Sequence, residues 1–177
     1  RQLCKFPGED TEAVLRELLE DKSEFLSTSS ADTISNVVFR VRVAAYGSLE
    51  SLRKPVPEKI LFAREPTEKE QRSHRQEYWQ GAFSKALSGG WEVVSVKDGP
   101  SRQIGGRETT AVVVTCGERE SRCTFTLIPK EWGKEGSPAG VDLGTNGGNG
   151  QGARHFFLEG ALPGKVKEEL TKYFGLE

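Results

Sequence analysis

The sequence predicts an α+β protein in which an antiparallel β-sheet is flanked by helices, an α/β/α-type sandwich. Three runs rich in β-branched residues follow one another between Trp91 and Ile128, separated by Gly, Asp, Pro and Arg, which is typical of an antiparallel meander. Segments with helical spacing of apolar residues lie before and after it. The length of 177 residues suits a single domain over 1–177, long enough to bury a core without disulfides.

Charge and composition narrow the classes of function. The chain has 25 basic and 26 acidic residues and a net charge of −1, whereas a general nucleic-acid-binding domain is usually visibly basic. It contains no run of about 18 apolar residues, so no transmembrane helix is predicted and membrane attachment would be peripheral. The chain begins at Arg1 without any methionine, which a removed targeting segment or trimming would explain.

The first third of the chain predicts a helix, a linker and a strand. An N-terminal helix is expected over residues 10–26, where apolar positions recur at helical spacing. Residues 27–35 are rich in Ser, Thr and Asp, which favours a linker. From Val37 to Tyr46 apolar and other side chains alternate, the strongest period-2 signal in the sequence, which predicts a strand.

One face of this predicted strand carries Arg40, Arg42 and Tyr46. Guanidinium groups bind phosphate and carboxylate groups well, so these three residues are candidates for contact with a partner. Two arginines on a half-exposed strand more commonly form a solvated face, and that alternative stays open.

A second long helix is predicted after Pro66. A loop over residues 48–57 precedes it, and residues 58–63 fit either a short strand or a helical turn. Thr67 and Glu70 form a capping-box pattern, and a Gly-Gly pair ends the helix.

The first turns of this helix, residues 68–77, are polar on every side and are predicted to project beyond the sheet. A projecting charged end is a plausible docking surface, so Arg72 and Arg75 are further candidates for contact with a partner. A tip that only meets solvent is the equally common alternative.

Alternation in the meander predicts which strand faces are buried. One face carries Val112, Val114, Cys116, Cys123, Phe125 and Leu127. If these strands pair across the hairpin, Cys116 and Cys123 lie opposite or nearly opposite each other. A cross-strand disulfide is then conceivable, although two thiols that pack as small apolar residues are the more common outcome. With Cys4, the cysteine spacing does not match a metal site.

The last part of the chain predicts a loop, a strand and a helix. Residues 133–152 are predicted to be a flexible glycine-rich loop. A phosphate-binding loop is not favoured, because the glycines lack its spacing and no helix follows. Trp132, just before it, is the remaining candidate for contact with a partner. A strand over 154–159 and a helix from Leu162 complete the order.

No residue pattern in the sequence indicates a reaction. His74 and His155 have no second histidine or carboxylate at metal-ligand spacing, and neither lies near a nucleophile in sequence. A thiol catalyst assembled in space from Cys116 or Cys123 with His155 stays open as an alternative. The sequence therefore predicts a protein that is not an enzyme, with no catalytic residue, metal site or cofactor.

Four segments follow one another in an order shared with a known family. They are Ser35-Asn-Val-Val-Phe-Arg-Val-Arg-Val43, the stretch from Ser48-Leu49 and Leu52 to Pro57-Glu58, the strand from Trp91 with Gly105-Gly106-Arg-Glu-Thr-Thr-Ala-Val-Val-Val114, and His155-Phe-Phe-Leu158. The chain resembles the PsbP family, the extrinsic proteins on the lumenal side of photosystem II, and its PsbP-like relatives. In that family further strands precede the Ser-Asn-Val strand, and a proline-led helix, a strand, a Gly-Gly turn, two strands, a last strand and a helix follow it.

The resemblance implies a non-enzymatic protein of the chloroplast thylakoid lumen. Such a protein docks peripherally on a photosynthetic membrane complex and stabilises it or helps assemble it. The resemblance assigns no ion-binding residue to this sequence. Two alternatives come from the residues themselves: a single-strand nucleic-acid-binding module of an organelle, whose sheet presents arginines and aromatics for stacking, and a small-ligand-binding or enzymatic domain with a pocket between sheet and helix.

Overall fold

A computed structural model describes residues 9–30, 32–104, 106–129, 140–142 and 155–174. In chain order the elements are α1 (Glu9–Leu18), β1 (Phe25–Ser30), β2 (Thr33–Val38), α2 (Arg40–Ser51), β3 (Ala63–Arg64), α3 (Glu68–Ala86), β4 (Glu92–Ile104), β5 (Arg107–Glu118), β6 (Ser121–Pro129), β7 (Gly140–Asp142), β8 (His155–Glu159) and α4 (Gly164–Phe174). The predicted α+β class is confirmed, with antiparallel strand pairs in two sheets. None of the helices described is long and apolar enough to cross a membrane.

The elements form two compact units. The first unit runs from α1 to Ser29 and continues over Ile34–Thr67, and the second contains the turn residues around Asp32 and everything from Glu68 onward. The prediction that residues 1–177 fold as a single domain stays a prediction.

The first unit combines α1 and α2 with a three-stranded sheet in the order β1-β2-β3. In β2 and β3, Val37 lies opposite Arg64. A small cluster joins the two helices through the buried side chains of Leu15, Leu19, Ala45 and Leu49. An ion-pair network supports α1, because Glu12 accepts hydrogen bonds from Lys54 Nζ at 2.7 Å and Arg16 Nη2 at 2.8 Å. These two cations, Lys54 first, hold the pKa of Glu12 below its usual range.

The N-terminal helix predicted over residues 10–26 is shorter than expected. It ends at Leu18, and its last turn tightens, as shown by the bond from Leu19 N to Arg16 O at 3.2 Å. The next turn is fixed by Asp21, whose Oδ1 accepts the Ser23 amide at 2.8 Å. The apolar residues Phe25 and Leu26 therefore belong to β1 and not to the helix.

The predictions of a linker over residues 27–35 and a strand over residues 37–46 are also wrong. The first stretch forms most of a hairpin, in which the Ser35 hydroxyl donates to the carbonyl of Ser27 at 2.9 Å. The second stretch forms strand only as far as Val38, and helix α2 begins at Arg40. Helix prevails because it places Ala45 and Leu49 at i, i+4, where both are buried against α1.

The second unit is a five-stranded antiparallel sheet, ordered β4-β5-β6-β8-β7, with α3 and α4 on the same face. The face predicted to be buried is buried: Val112, Val114 and Cys116 contact the helices together with Phe125 and Leu127. Phe83 on α3 packs edge-on to the Phe125 ring, with centroids 5.3 Å apart. On the opposite face, the Thr115 and Thr124 hydroxyls are hydrogen bonded at 3.2 Å.

Strand β4 is the longest of the sheet and runs to Ile104. Its pairing with β5 is irregular between Val93 and Ser95 and between Asp98 and Ser101. Such bulges let a strand absorb extra residues without losing its partner. Within the predicted loop 133–152 the structure describes only β7, which pairs with β8, and the rest of that loop lies outside the described residues.

Candidate docking surface

The six residues predicted to contact a partner have very different environments. Arg40, Arg42 and Tyr46 lie on α2, Arg72 and Arg75 lie on α3, and Trp132 is outside the described residues. Because α2 is a helix, the first three do not form one face of a strand. The sheet-borne stacking platform of the nucleic-acid alternative is therefore not built from these residues.

Arg42 is occupied by contacts inside the first unit. Its Nε donates to the Asp21 carbonyl at 2.6 Å and its Nη1 to the Leu61 carbonyl at 3.3 Å. Its guanidinium also lies over the Phe39 ring, 4.2 Å from the centroid. These contacts tie α2 to the segments before β1 and before β3, so Arg42 stabilises the fold.

Tyr46 is likewise a packing residue. Its ring meets Phe62 edge-on, with centroids 5.0 Å apart, and it is partly buried beside the cluster between α1 and α2. An edge-to-face pair contributes about 0.5–1.5 kcal/mol beyond burial. Little of this side chain is available to a partner.

Arg72 and Arg75 both point at Asp98 on β4. Arg75 Nη1 lies 2.8 Å from Asp98 Oδ2 and its side chain is only 15% exposed, whereas Arg72 Nε lies 3.5 Å away and its side chain is 61% exposed. At Arg72 and Arg75 the start of α3 is therefore ion-paired to the sheet, so the prediction that this end projects beyond the sheet is wrong at these two residues. Asp98 Oδ1 is buried and receives no hydrogen bond among the described residues.

Arg40 is the exposed candidate that makes no hydrogen bond or ion pair among the described residues. Its guanidinium carbon lies 3.2 Å from the centroid of the Phe25 ring, and both side chains are exposed. The ring face attracts the cation electrostatically and fixes its position. Its planar donors stay available, since a cation–π contact uses none of them.

Exposed apolar side chains belong to the segments that meet near the start of α2. Phe25 is 42% exposed, Val43 on the next turn of α2 is 46% exposed, and Leu61 is 56% exposed. The Arg42 bonds described above hold residue 61 against the start of α2. We call Phe25, Arg40, Val43 and Leu61 the α2 patch.

Sequence reasoning missed the apolar half of this patch. Phe25 was assigned to the buried stripe of a helix, and Leu61 to an element that local pattern does not define. Neither carries a sequence signal for exposure, because an apolar residue is normally expected in the core. Only the position of β1 beside α2 reveals them.

Cys116, Cys123 and Asp32 are buried in the second unit. Cys116 and Cys123 lie directly opposite each other, as predicted, and both are free and buried. Burial, with the neighbouring Cys123 as a lesser cause, raises the pKa of Cys116 to about 12, so its reactive thiolate is strongly disfavoured. Buried Asp32 accepts a hydrogen bond from Trp79 Nε1 at 3.3 Å.

Within the described residues no group of three His, Cys, Asp or Glu side chains could hold a metal ion.

Comparisons of the chain with family models, curated proteins and solved structures found no match.

Proposed function

We propose that this chain is a non-catalytic extrinsic subunit or assembly factor that docks peripherally on a photosynthetic membrane complex in the thylakoid lumen. The observation that carries the proposal is the α2 patch, where Arg40 lies over the exposed Phe25 ring and Val43 and Leu61 are also exposed. Aromatic residues and arginine are enriched in protein–protein interfaces and dominate their binding energy.

The geometry of Arg40 favours binding to another protein. Stacking on Phe25 at 3.2 Å restricts the guanidinium before any partner arrives, which lowers the conformational entropy lost on association. Its donors suit a carboxylate or a backbone carbonyl of the partner, while Phe25 and Val43 supply apolar contact area. The patch thus combines one positively charged hydrogen-bond donor with apolar side chains that a partner can cover.

The photosynthetic setting comes from the sequence resemblance. Strand β1 precedes β2, the strand that contains Ser35-Asn-Val37, as further strands do in the PsbP family. Helix α2 and strand β3 come next, helix α3 follows Pro66, and β4 to β8 and α4 complete the order. The lumenal compartment and the photosystem partner are what the resemblance implies. The α2 patch is the surface through which we propose that the chain attaches.

Binding to salt-washed thylakoid membranes tests the proposal. Wild-type protein should bind saturably to membranes from which extrinsic proteins have been removed, and not to liposomes of the same lipids. Phe25→Ala with Arg40→Ala should weaken binding by roughly 30-fold, the effect of losing two central interface residues. The matched control is Val94→Ala with Arg122→Ala, which removes an exposed valine and an exposed arginine from the second unit.

Two results would contradict the proposal. Equal binding to washed membranes and to protein-free liposomes would exclude docking on a protein complex. Equal loss in the two double variants would exclude the α2 patch as the site of attachment. Circular dichroism of each variant establishes that it remains folded.

A further inference from the structure

A groove in the second unit lies between the end of α3 and helix α4. It has a volume of about 590 Å³ and is lined by Lys85, Ala86, Ser88, Lys165, Glu168, Glu169, Lys172 and Tyr173. Its α4 wall runs from Lys165 to Tyr173, which at about 1.5 Å per residue gives a length of about 12 Å. An extended chain advances about 3.3 Å per residue, so about four residues of a peptide match this length.

Two reciprocal contacts make one end of the groove rigid. Glu169 accepts hydrogen bonds from the Ser88 amide at 2.8 Å and from the Ser88 hydroxyl at 2.7 Å. The Ser88 amide is the main cause that lowers the pKa of Glu169, followed by the Ser88 hydroxyl. Lys165 Nζ donates to the Gly89 carbonyl at 2.7 Å. Gly89 has a φ of 62°, a backbone conformation that favours glycine at this turn.

These contacts leave an excess of positive charge at the groove. Lys165 and Glu169 lie on the same helix and balance each other, and both are committed to the turn after α3. Lys85 on one wall and Lys172 on the other have no hydrogen-bond or ion-pair partner among the described residues. Glu168 is the one further carboxylate of the lining, so one positive charge is uncompensated. An anionic group between the two lysines would relieve their mutual repulsion.

The aromatic side chain at the end of the groove adds an apolar contact. Tyr173 is exposed, and its ring packs edge-on to Phe174, with centroids 4.9 Å apart. Because Phe174 in turn packs on Phe83 of the core, the exposed ring is held in place. A rigid aromatic beside unpaired cations suits a peptide that alternates carboxylates with apolar groups.

We infer that this groove binds an extended acidic segment of another protein, with carboxylates at Lys85 and Lys172 and an apolar residue against Tyr173. The inference goes beyond the function proposed above, because it concerns the second unit and requires no photosynthetic complex.

An NMR titration with a short peptide that alternates Glu and Leu tests the groove. At low salt the peptide should shift the amide signals of Ser88, Gly89 and residues 165–173 saturably. Lys85→Gln with Lys172→Gln should weaken binding at least about tenfold, because two charge-assisted contacts are lost. Lys69→Gln with Lys167→Gln is the matched control: it removes one exposed lysine from each of the same two helices, both outside the groove, and should leave affinity within about twofold.

Three outcomes would overturn the inference. The first is the absence of saturable shifts at these residues. The second is equal weakening by the two double variants, which would indicate attraction by overall charge. The third is equal shifts with inorganic phosphate, which would indicate a small-anion site. The variant Phe25→Ala with Arg40→Ala should bind the peptide normally, so failure here is distinguishable from failure of the α2 patch.

Discussion

The two units of this protein bury their apolar side chains in different ways. The second unit has a continuous core in which Trp79 and Phe83 of α3 and Phe125 of β6 are fully or almost fully buried. The first unit has a cluster of four small or aliphatic side chains between two helices. Of the seven large apolar side chains exposed among the described residues, five belong to the first unit.

The first unit also contains directional contacts between distant segments. Arg42 bonds two backbone carbonyls, and Arg64 holds Glu24 through two hydrogen bonds of 3.1 and 2.7 Å. Such contacts fix chain segments in place without covering apolar surface. The difference is that the second unit covers its large apolar side chains, whereas the first unit leaves several of its own at the surface.

The largest expected effect compares the two cores directly. Phe83→Ala should lower the free energy of unfolding by about 3–5 kcal/mol, because the ring is buried among Trp79, Phe125 and Phe174. Leu49→Ala should cost about 2–3 kcal/mol, since a small cluster collapses more easily around the cavity. Urea denaturation followed by circular dichroism measures both. If Leu49→Ala lowers the free energy of unfolding as much as Phe83→Ala or more, the two cores do not differ as described.

The next effect separates two arginines of the first unit that are two residues apart. Arg42→Ala should cost about 1.5–3 kcal/mol, because charge-assisted bonds to the carbonyls of Asp21 and Leu61 are lost. Arg40→Ala should change stability by no more than about 0.5 kcal/mol, as expected for a surface side chain. Thermal unfolding of both variants is the measurement. Similar losses would show that Arg40 is structural and would weaken its assignment to the α2 patch.

The smallest effect concerns alkaline pH and the second unit. The thiol of Cys116 has a pKa of about 12 in the fold against an ordinary value of 9.0, so the unfolded chain releases this proton first. The contribution to stability is therefore complete below about pH 9 and is lost as the pH rises toward 12. Near pH 10 the loss should be about 1 kcal/mol.

The control for this effect is Cys116→Ala, which should make the decline between pH 9 and pH 11 shallower, whatever its effect at neutral pH. Urea titrations at a series of pH values give the two slopes. Identical slopes would show that Cys116 does not titrate differently in the folded and unfolded chains. Cysteine reactivity toward a thiol reagent in the folded state, expected to be very slow, is an independent check.

Predictions from sequence succeeded where the hydrophobic periodicity of a segment and its length indicate the same type of secondary structure. The meander from Trp91 has strands long enough for alternation to define one buried face, and this placed Cys116 opposite Cys123. Helix α3 was located by Pro66, by the capping-box pattern of Thr67 and Glu70 and by the Gly-Gly pair at its end. The prediction for Val37 to Tyr46 failed because a short alternating run also matches a helix, and the choice depends on what lies beside it.

The sequence alone determined the α+β class and the buried face of the main sheet, because these follow from local periodicity that any compact fold must respect. Tertiary contacts decided that Arg40 to Ser51 is a helix and that Phe25 is exposed beneath Arg40. They also decided that Arg42, Arg72 and Arg75 are held by the protein itself. The physical reason is that the sequence gives the position of an arginine in the chain and its charge. The group that the arginine contacts depends on which distant segment the fold brings to it.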